Sequence, residues 1–320
     1  MEYQTSFNEN KQPAPIVISI GNFDGLHRGH QRLLQELHTL AAELDSIPVL
    51  VTFTPHTLAV VRPESQLHLL TTIEEKLFLA RKVCDVAESI VITFTPDVLA
   101  MSTSDFLQEL MRKFTIRGMV EGEDFRIKPD HTGDMTYLQN YGKLHDLVVR
   151  SVPLQKADHE RISSTHIRHL VREGNIPKAN ELLGHPFVVG GVVVHGDARG
   201  RELKFPTANI HPIAEKVLPP DGVYAARTYL HDGTTEERKQ VYESIAYIGT
   251  RPTYAGTERR VETHLLDIDI DLYERYISVE FISRLRGDIS FSDGVALQQQ
   301  VFSVDIPQAR EILAHYASVY

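Results

Sequence analysis

Residues 19–30 read Ser-Ile-Gly-Asn-Phe-Asp-Gly-Leu-His-Arg-Gly-His, and this stretch decides how the first half of the chain folds. The apolar run just before its first glycine, residues 16–20, is typical of a buried β-strand. After the stretch, leucines recur at spacings of four, three and four residues, which predicts an amphipathic helix: Leu33, Leu37, Leu40 and Leu44. The sequence therefore predicts a strand, a glycine-rich turn and a helix in direct succession.

The predicted turn is suited to binding a phosphate group. Gly21, Gly25 and Gly29 let the backbone approach a ligand closely, and the free N–H groups at the start of a helix attract an anion. His27 and His30 can donate hydrogen bonds together to charge that develops on a phosphoryl group. The alternative interpretation is a surface loop whose histidines only cap the helix.

Composition favours a two-domain protein of the cytoplasm. A chain of 320 residues, 42% of them hydrophobic, is long enough for two ordinary cores. The net charge of −10 argues against a nucleic-acid partner, because binding to a phosphate backbone needs a basic surface. Cys84 is the only cysteine, which excludes an intrachain disulfide and indicates a reducing compartment. Since we find neither a membrane-spanning apolar run nor a signal-peptide core, we expect no membrane partner.

Strand-like and helix-like segments alternate from residue 16 to about residue 152. Further apolar runs predict strands over residues 49–53, 90–94, 118–121 and 146–152. Helices are predicted between them, the first opening with a capping box, over residues 72–83, 102–113 and 134–144. This alternation predicts a parallel sheet covered on both faces, with ligands at the carboxyl ends of the strands.

A second stretch of interest, residues 161–168, reads Arg-Ile-Ser-Ser-Thr-His-Ile-Arg. We expect Ser164 or Thr165 to cap a helix that ends at Gly174. Arg168 lies one turn into that helix, and its guanidinium offers a forked pair of donors to a polyphosphate. The stretch therefore indicates either a second phosphate site or simply a well-capped helix.

The second half of the chain is dominated by short predicted strands. They cover residues 187–194, 222–230, 241–248, 261–270 and 278–282. Turns rich in Gly, Pro and Asp join them, as in a small barrel, and two terminal helices are predicted over residues 293–302 and 305 to about 317. We place the domain boundary at residues 184–186, so that the domains span residues 1–185 and 186–320.

A third stretch, residues 196–209, reads Gly-Asp-Ala-Arg-Gly-Arg-Glu-Leu-Lys-Phe-Pro-Thr-Ala-Asn. Its glycines can close over a nucleotide, although the last four residues also fit a simple turn. In an extended chain, Thr207 and Asn209 share a face and offer two hard oxygen atoms to Mg²⁺. Glu262 lies in an alternating segment, where its side chain shares a face with that of His264.

Together these motifs resemble those of the bifunctional prokaryotic riboflavin kinase and FAD synthetase family. The resemblance covers about residues 15 to 315, through the stretches 21–30, 162–168, 200–209, 221–224, 248–253, 262–266 and 271–273. It implies an α/β fold: a Rossmann-like nucleotidyltransferase domain with a parallel sheet, then a small antiparallel flavokinase β-barrel with C-terminal helices. It also implies that ATP phosphorylates riboflavin to FMN and then adenylylates FMN to FAD with release of pyrophosphate, both with Mg²⁺.

The resemblance assigns expected roles to individual residues. In the adenylyltransferase half, His27 and His30 are the expected catalytic groups and Asp124 and Phe125 the expected flavin contacts. The expected ATP contacts there are Gly21, Phe23, Asp24, Gly25, His27, His30, Ser163, Ser164, Thr165 and Arg168. In the kinase half, Glu262 is expected to take the proton from the ribityl hydroxyl, Thr207 and Asn209 to bind the metal, and Arg286 to contact the flavin. The expected ATP contacts of the kinase are Gly196, Gly200, Phe205, Thr207 and Asn209.

The chain departs from the family pattern at four places. Lys204 and Glu274 stand where the family has glycine, and Tyr247 stands where it has asparagine. Residues 127–128 are Ile-Lys where the family has Phe-Gly. Because three of these departures fall in the kinase half and add bulk, we expect weaker riboflavin phosphorylation or an altered ligand preference.

Two other functions fit parts of the pattern. An adenylyltransferase for pantetheine phosphate or nicotinamide mononucleotide would carry the same His-x-Gly-His, but it would not need residues 206–209 or Glu262. A diverged paralogue with one of the two activities, or a non-catalytic flavin-binding protein, would keep the fold. The intact His27, His30 and Arg168 argue against the last interpretation for the N-terminal half.

Overall fold

A computed structural model describes residues 1–7, 14–65, 67–127, 133–153, 156–157, 160–194, 205–230, 241–253 and 256–316. The chain divides by its internal contacts into two compact units. The first comprises residues 1–67 and 72–164, and the second comprises residues 68–71 and 165–320. Each unit contains its own sheet.

The first unit is built on a six-stranded sheet. Its strands are β1 (Tyr3–Thr5), β2 (Ile16–Ile20), β3 (Ile47–Thr54), β4 (Glu88–Thr93), β5 (Ile116–Gly122) and β6 (Val148–Val152). In space they follow the order β1, β4, β3, β2, β5, β6. Strands β2 to β6 are parallel, as predicted, whereas β1 pairs antiparallel with β4 at the edge and makes the sheet mixed. Three residues are too few to show a periodicity, so the sequence did not indicate β1.

The described residues of the first unit also form six helices and a short hairpin. The helices are α1 (Arg28–Glu43), α2 (Thr57–Val61), α3 (Ile73–Cys84), α4 (Pro96–Ala100), α5 (Thr103–Lys113) and α6 (Met135–His145). The hairpin pairs β7 (Lys156–Ala157) with β8 (Glu160–Arg161). The predicted capping box is confirmed: the Glu75 amide donates to Thr72 Oγ1 at 3.2 Å, and the Thr72 amide donates to Glu75 Oε2 at 2.9 Å.

The core of the first unit lies on both faces of the sheet. All five residues of β2 are buried, and their side chains alternate between the faces. Val17 packs with the leucines of α1 on one face. Ile16, Ile18 and Ile20 pack with residues of α5 and α6 on the other. A continuous apolar strand between two helical layers is therefore confirmed.

The second unit contains α7 (Ser164–Glu173), except its first residue, and α8 (Ile176–Leu183). A closed antiparallel barrel follows these two helices. The barrel strands are β9 (Phe187–Val194), β10 (Ala208–Ile210), β11 (Gly222–Leu230), β12 (Val241–Thr253), β13 (Gly256–Leu265) and β14 (Tyr276–Gly287). They close in the order β10, β13, β12, β11, β14, β9. The predicted strand over residues 261–270 is wrong beyond Leu265, because the chain turns at Asp267 with a φ of 62°.

The C-terminal segment covers one outer face of the barrel. It consists of α9 (Gly294–Gln300), a π-helical turn (Val301–Asp305) and α10 (Ile306–His315). Apolar side chains of the barrel and of this segment form one cluster: Val223, Ala225, Ile245, Ile282, Val301, Ala309 and Leu313. The predicted helix over residues 293–302 is thus confirmed up to Gln300, where the π-helical turn begins.

Helix α8 is joined to the barrel by the side chain of Asn180. Its Nδ2 donates to the carbonyl of Phe281 and its Oδ1 accepts from the amide of Phe187, both at 2.8 Å. Asn180 is buried, so each bond pairs a backbone group that water does not reach. By these contacts α8 belongs with the barrel, although it precedes the boundary predicted at residues 184–186.

Replacing Asn180 with alanine should destabilise the barrel by roughly 2–4 kcal/mol, because two buried backbone groups lose their partner. Hydrogen exchange of the barrel amides in the full chain measures this loss directly. Lys178→Ala, at a partly exposed position of α8 whose side chain pairs with Glu181, is the matched control. Equal exchange in wild type and Asn180→Ala would contradict the proposed role of this side chain.

Candidate active sites

The turn between β2 and α1 is held in an unusual backbone conformation. Phe23, Gly25 and Leu26 all have positive φ, at 48°, 83° and 40°. Left-handed backbone is costly for residues with a Cβ, and such strain persists where the surroundings enforce it. Here both apolar side chains are buried. A Cβ at Gly21 would lie 3.1 Å from the Phe23 ring, so glycine is needed for this close packing.

The two histidines of the turn are stacked on each other. The ring centroids of His27 and His30 are 3.6 Å apart, with 12° between the ring planes. His27 caps α1, since its Nδ1 accepts from the His30 amide at 3.3 Å. A neutral His27 ring therefore carries its proton on Nε2. Phe23 packs edge-on against His30 at 5.2 Å, and a Cβ at Gly29 would lie 3.2 Å from the His27 ring.

His30 is uncharged at neutral pH. Burial, and then the charges of His27 and Lys76, hold the pKa of His30 well below its ordinary value of 6.5. Its Nδ1 is buried and has no hydrogen-bond partner among the described residues. A buried polar atom of this kind is usually paired in the working state of a protein. A neutral imidazole can donate one hydrogen bond and accept another.

A buried lysine adds positive charge near the turn. Lys76 of α3 donates from Nζ to Thr52 Oγ1 at 3.1 Å, and the Thr52 hydroxyl donates to the carbonyl of Asn22 at 3.3 Å. Burial lowers the pKa of Lys76 to about 8, which the charge of Asp24 opposes. Sequence reasoning missed this lysine. Its position in the apolar stripe of α3, three residues before the buried Leu79, was the sequence feature that indicated a buried side chain.

The start of α7 is tied to the turn by a hydrogen bond. Ser164 Oγ donates to the carbonyl of Asp24 at 2.8 Å, so this serine of the second motif contacts the turn within the first unit. The expectation that Ser164 or Thr165 caps α7 is wrong, because both lie inside the helix and Ser163 precedes it. Arg168 lies one turn further along α7 and is buried.

Asp124 and Phe125 follow the carboxyl end of β5, the strand next to β2. The Phe125 amide donates to the carbonyl of Gly122 at 2.9 Å and closes a turn. Phe125 and Ile127 pack at the margin of the core that contains α5 and α6. Ile127 and Lys128 are the two residues that replace Phe-Gly of the family pattern, and Lys128 lies outside the described residues.

Asn22 links the turn to α2. Its Nδ2 donates to Thr57 Oγ1 at 2.8 Å, and its Oδ1 accepts from the Thr57 amide at 3.1 Å. His56 caps the same helix, with Nδ1 accepting from the Leu58 amide at 3.1 Å. His56 and Thr57, which follow the end of β3, were not identified from the sequence. Their signal was that polar residues came soon after a buried strand.

In the second unit the predicted oxygen ligands come together on one face of the barrel. Asn209 of β10 is paired with Glu262 of β13. Thr207 Oγ1 donates to Glu262 Oε2 at 3.2 Å. Thr263 points the other way and bonds to Thr228 at 2.9 Å inside the barrel. Strand β10 was not predicted as a strand, although its extended backbone agrees with one of the two interpretations of residues 206–209.

Aromatic and charged residues surround this face. His264 Nδ1 lies 2.9 Å from the carbonyl of Pro206, and its ring meets Phe205 edge-on at 6.2 Å. Arg286 donates from Nε and from NH2 to Asp305 at 2.9 and 2.8 Å, and its guanidinium lies over Phe291 at 5.7 Å. Gly196 and Gly200, the predicted glycines of the nucleotide loop, lie outside the described residues, as does Lys204.

Tyr247 stands directly opposite Glu262 in the β12–β13 pair. A Cβ at Gly249 would clash with the Tyr247 ring, so the ring covers that glycine. Burial and the nearby carboxylate of Asp288 raise the pKa of Tyr247 to about 12. Glu274 is different, because it is exposed in a turn with a φ of 63° and takes the conformation that glycine adopts easily.

The donor set on the barrel face suits a hard cation. Thr207 offers a hydroxyl oxygen and Asn209 an amide oxygen, which are ligand types that Mg²⁺ accepts. Among the described residues no three His, Cys, Asp or Glu side chains form a cluster that could hold a metal. Magnesium here would therefore depend on neutral oxygens and on substrate phosphates, as is usual for this ion.

Comparisons with known proteins match the two units separately. The profile of the FAD synthetase family matches residues 9–166, and that of riboflavin kinase matches residues 183–313. The bifunctional riboflavin kinase/FMN adenylyltransferase of Escherichia coli (strain K12) is 36% identical over 287 residues, 89% of each chain. The protein of the same name from Pseudomonas fluorescens is 32% identical over 305 residues, 93% of each chain.

A solved structure described as a macrolide-efflux protein from Streptococcus pneumoniae is also similar, with a TM-score of 0.80 and 27% identity. The match covers 97% of both chains. In the part of this chain that the structure describes, no helix has the length and apolarity needed to cross a membrane. Because both profiles match and relatives above 30% identity extend along most of the sequence, the chain belongs to the family of bifunctional riboflavin kinases/FMN adenylyltransferases, enzymes of flavin cofactor biosynthesis.

Proposed function

We propose that the turn at residues 21–30 binds ATP and carries out adenylyl transfer to FMN. The observation that supports this most strongly is the stacked His27–His30 pair at the N-terminus of α1, in which His30 is neutral and its Nδ1 has no hydrogen-bond partner among the described residues. The helix start and Lys76 supply positive potential for a triphosphate. Ser163, Ser164, Thr165 and Arg168 are proposed to hold the outgoing pyrophosphate, with Asp124 and Phe125 contacting the flavin.

In this reaction a phosphate oxygen of FMN attacks the α-phosphorus of ATP. The bond between the α-phosphorus and the bridging oxygen breaks, and pyrophosphate leaves with that oxygen. No protein nucleophile is needed, since positioning and charge stabilisation are sufficient. His27, protonated on Nε2, and the neutral His30 would donate hydrogen bonds to the oxygens on which charge increases.

The barrel face with Thr207, Asn209 and Glu262 is proposed to phosphorylate riboflavin. Glu262 would take the proton from the terminal ribityl hydroxyl, whose oxygen then attacks the γ-phosphorus of ATP while ADP leaves. Thr207 and Asn209 would hold Mg²⁺, which when bound neutralises charge on the phosphates. Phe205 is proposed to contact the nucleotide and Arg286 the flavin, as residues on the same outer face. The two activities would thus divide between residues 1–185 and 186–320, in a cytoplasmic enzyme.

Replacing His30 with alanine should lower FAD formation from FMN and ATP by roughly 10²-fold, the usual scale for losing a donor that stabilises developing charge. Riboflavin phosphorylation by the same protein should stay unchanged and serves as an internal test of folding. His169→Ala, on the exposed side of α7, is the matched histidine control. FAD formation at the wild-type rate in His30→Ala would remove this residue from the proposed mechanism.

Replacing Glu262 with glutamine should lower riboflavin phosphorylation by roughly 10²- to 10⁴-fold, because the amide cannot accept the hydroxyl proton. Adenylylation of FMN supplied directly should not change. Glu243→Gln, at an exposed position of the neighbouring strand β12, controls for loss of charge. If Glu262→Gln phosphorylates riboflavin as fast as wild type, another group must be the base.

Replacing Tyr247 with asparagine should raise kcat/KM for riboflavin by about tenfold, equivalent to about 1.4 kcal/mol. The aromatic ring covers Gly249 beside Glu262, so a smaller side chain opens room for substrate there. Glu274→Gly changes an exposed turn and should leave kcat/KM unaltered. A slower Tyr247→Asn enzyme would mean instead that the tyrosine ring contributes to binding.

A further inference from the structure

Glu121 is a buried acid that the proposed reactions do not use. It lies near the end of β5 and is 0% exposed. Its Oε1 accepts a hydrogen bond from the Ile20 amide at 2.6 Å, and its Oε2 is buried without a partner among the described residues. Burial raises the pKa of Glu121 well above its ordinary value, which the bond from Ile20 opposes only in part. Burial therefore favours the protonated, neutral carboxyl, since a buried charge without a counter-ion is costly.

The bond to Ile20 replaces a missing bond of the sheet. Strand β2 pairs with β5 only as far as Ile18 and Met119. On the other side, β2 stays paired with β3 up to Ile20 and Val51, and the Gly21 amide still donates to the Val51 carbonyl at 3.0 Å. The Ile20 amide has no strand partner on the β5 side because the two strands have separated there. The carboxyl oxygen of Glu121 fills that gap.

Separation of neighbouring parallel strands at this point creates the crevice in which α/β proteins bind ligands. Ile20 is the last residue of β2, and the turn with His27 and His30 starts directly after it. Any shift of the Ile20 backbone is therefore passed on to the groups proposed to contact ATP. Misplacement of reacting groups by about 1 Å can cost about 10²-fold in rate.

We infer that Glu121 is a positioning residue for adenylyl transfer, because its carboxyl fixes the end of β2 across the opened sheet and so sets the position of the glycine-rich turn. The inference rests on the proposed role of that turn in binding ATP. Glu121 acts through the Ile20 amide, and no contact with a substrate is needed. An apolar side chain at position 121 would fill the same space but would leave the Ile20 amide unpaired.

The test compares Glu121→Gln with Glu121→Val in the full-length chain. Glutamine is neutral and keeps an acceptor oxygen at the same place, whereas valine removes it. We expect Glu121→Val to lower kcat for FAD formation by about 10- to 100-fold with riboflavin phosphorylation unchanged. Glu121→Gln should restore kcat to within about threefold of wild type. Glu123→Val, an exposed position two residues further on, is the matched control.

Hydrogen exchange of the Ile20 amide reports the bond itself. It should accelerate in Glu121→Val and stay slow in Glu121→Gln. Faster exchange with an unchanged kcat, or equal loss of both activities, would overturn the positioning role. If wild type binds ATP but forms no FAD, the proposed adenylyl transfer is wrong. The role of Glu121 is then tested by ATP affinity, which should fall in Glu121→Val and not in Glu121→Gln; equal affinities would overturn it.

Discussion

The reversal of strand order beside β2 is the constraint on which the first unit depends. The chain leaves β2 towards β3 on one side and returns to β5 on the other, so the carboxyl ends of β2 and β5 separate. The glycine-rich turn and the N-terminus of α1 lie at that opening. Phe23 and Leu26 adopt left-handed backbone there and are held by burial, and Ser164 reaches the turn through the Asp24 carbonyl. The fold of the first unit therefore brings Ser164 to Asp24, which lies 140 residues earlier in the sequence.

The two sites solve related chemical problems with different groups. The first unit offers imidazoles, a helix N-terminus and the buried Lys76, which suit charge on a triphosphate. The barrel offers the oxygens of Thr207, Asn209 and Glu262, which suit a metal and a proton transfer. In neither proposed reaction is an intermediate formed on the protein. The chemistry of both proposed reactions therefore depends on the positions of these groups.

Local signals carried most of what could be predicted from the sequence. The strand over residues 16–20, the capping box at Thr72 and the strand over residues 222–230 depend on neighbours in the chain, and all were found. Features that depend on distant partners were missed. Lys76 is explained only by Thr52 and the turn, and β10 only by its pairing with β13. The role of Glu121 could not be read either, because the gap that its carboxyl fills exists only once β2 and β5 are side by side.

The central claim is that one chain carries both flavin reactions, at separate sites. A single incubation of the purified protein with riboflavin, ATP and Mg²⁺, sampled over time and resolved into riboflavin, FMN and FAD, tests it most directly. The account predicts that FMN appears first and FAD follows, and that FMN supplied in place of riboflavin is converted to FAD without a lag. Absence of FAD from either starting flavin, or FAD made only from added FMN, would contradict the claim that both sites are active.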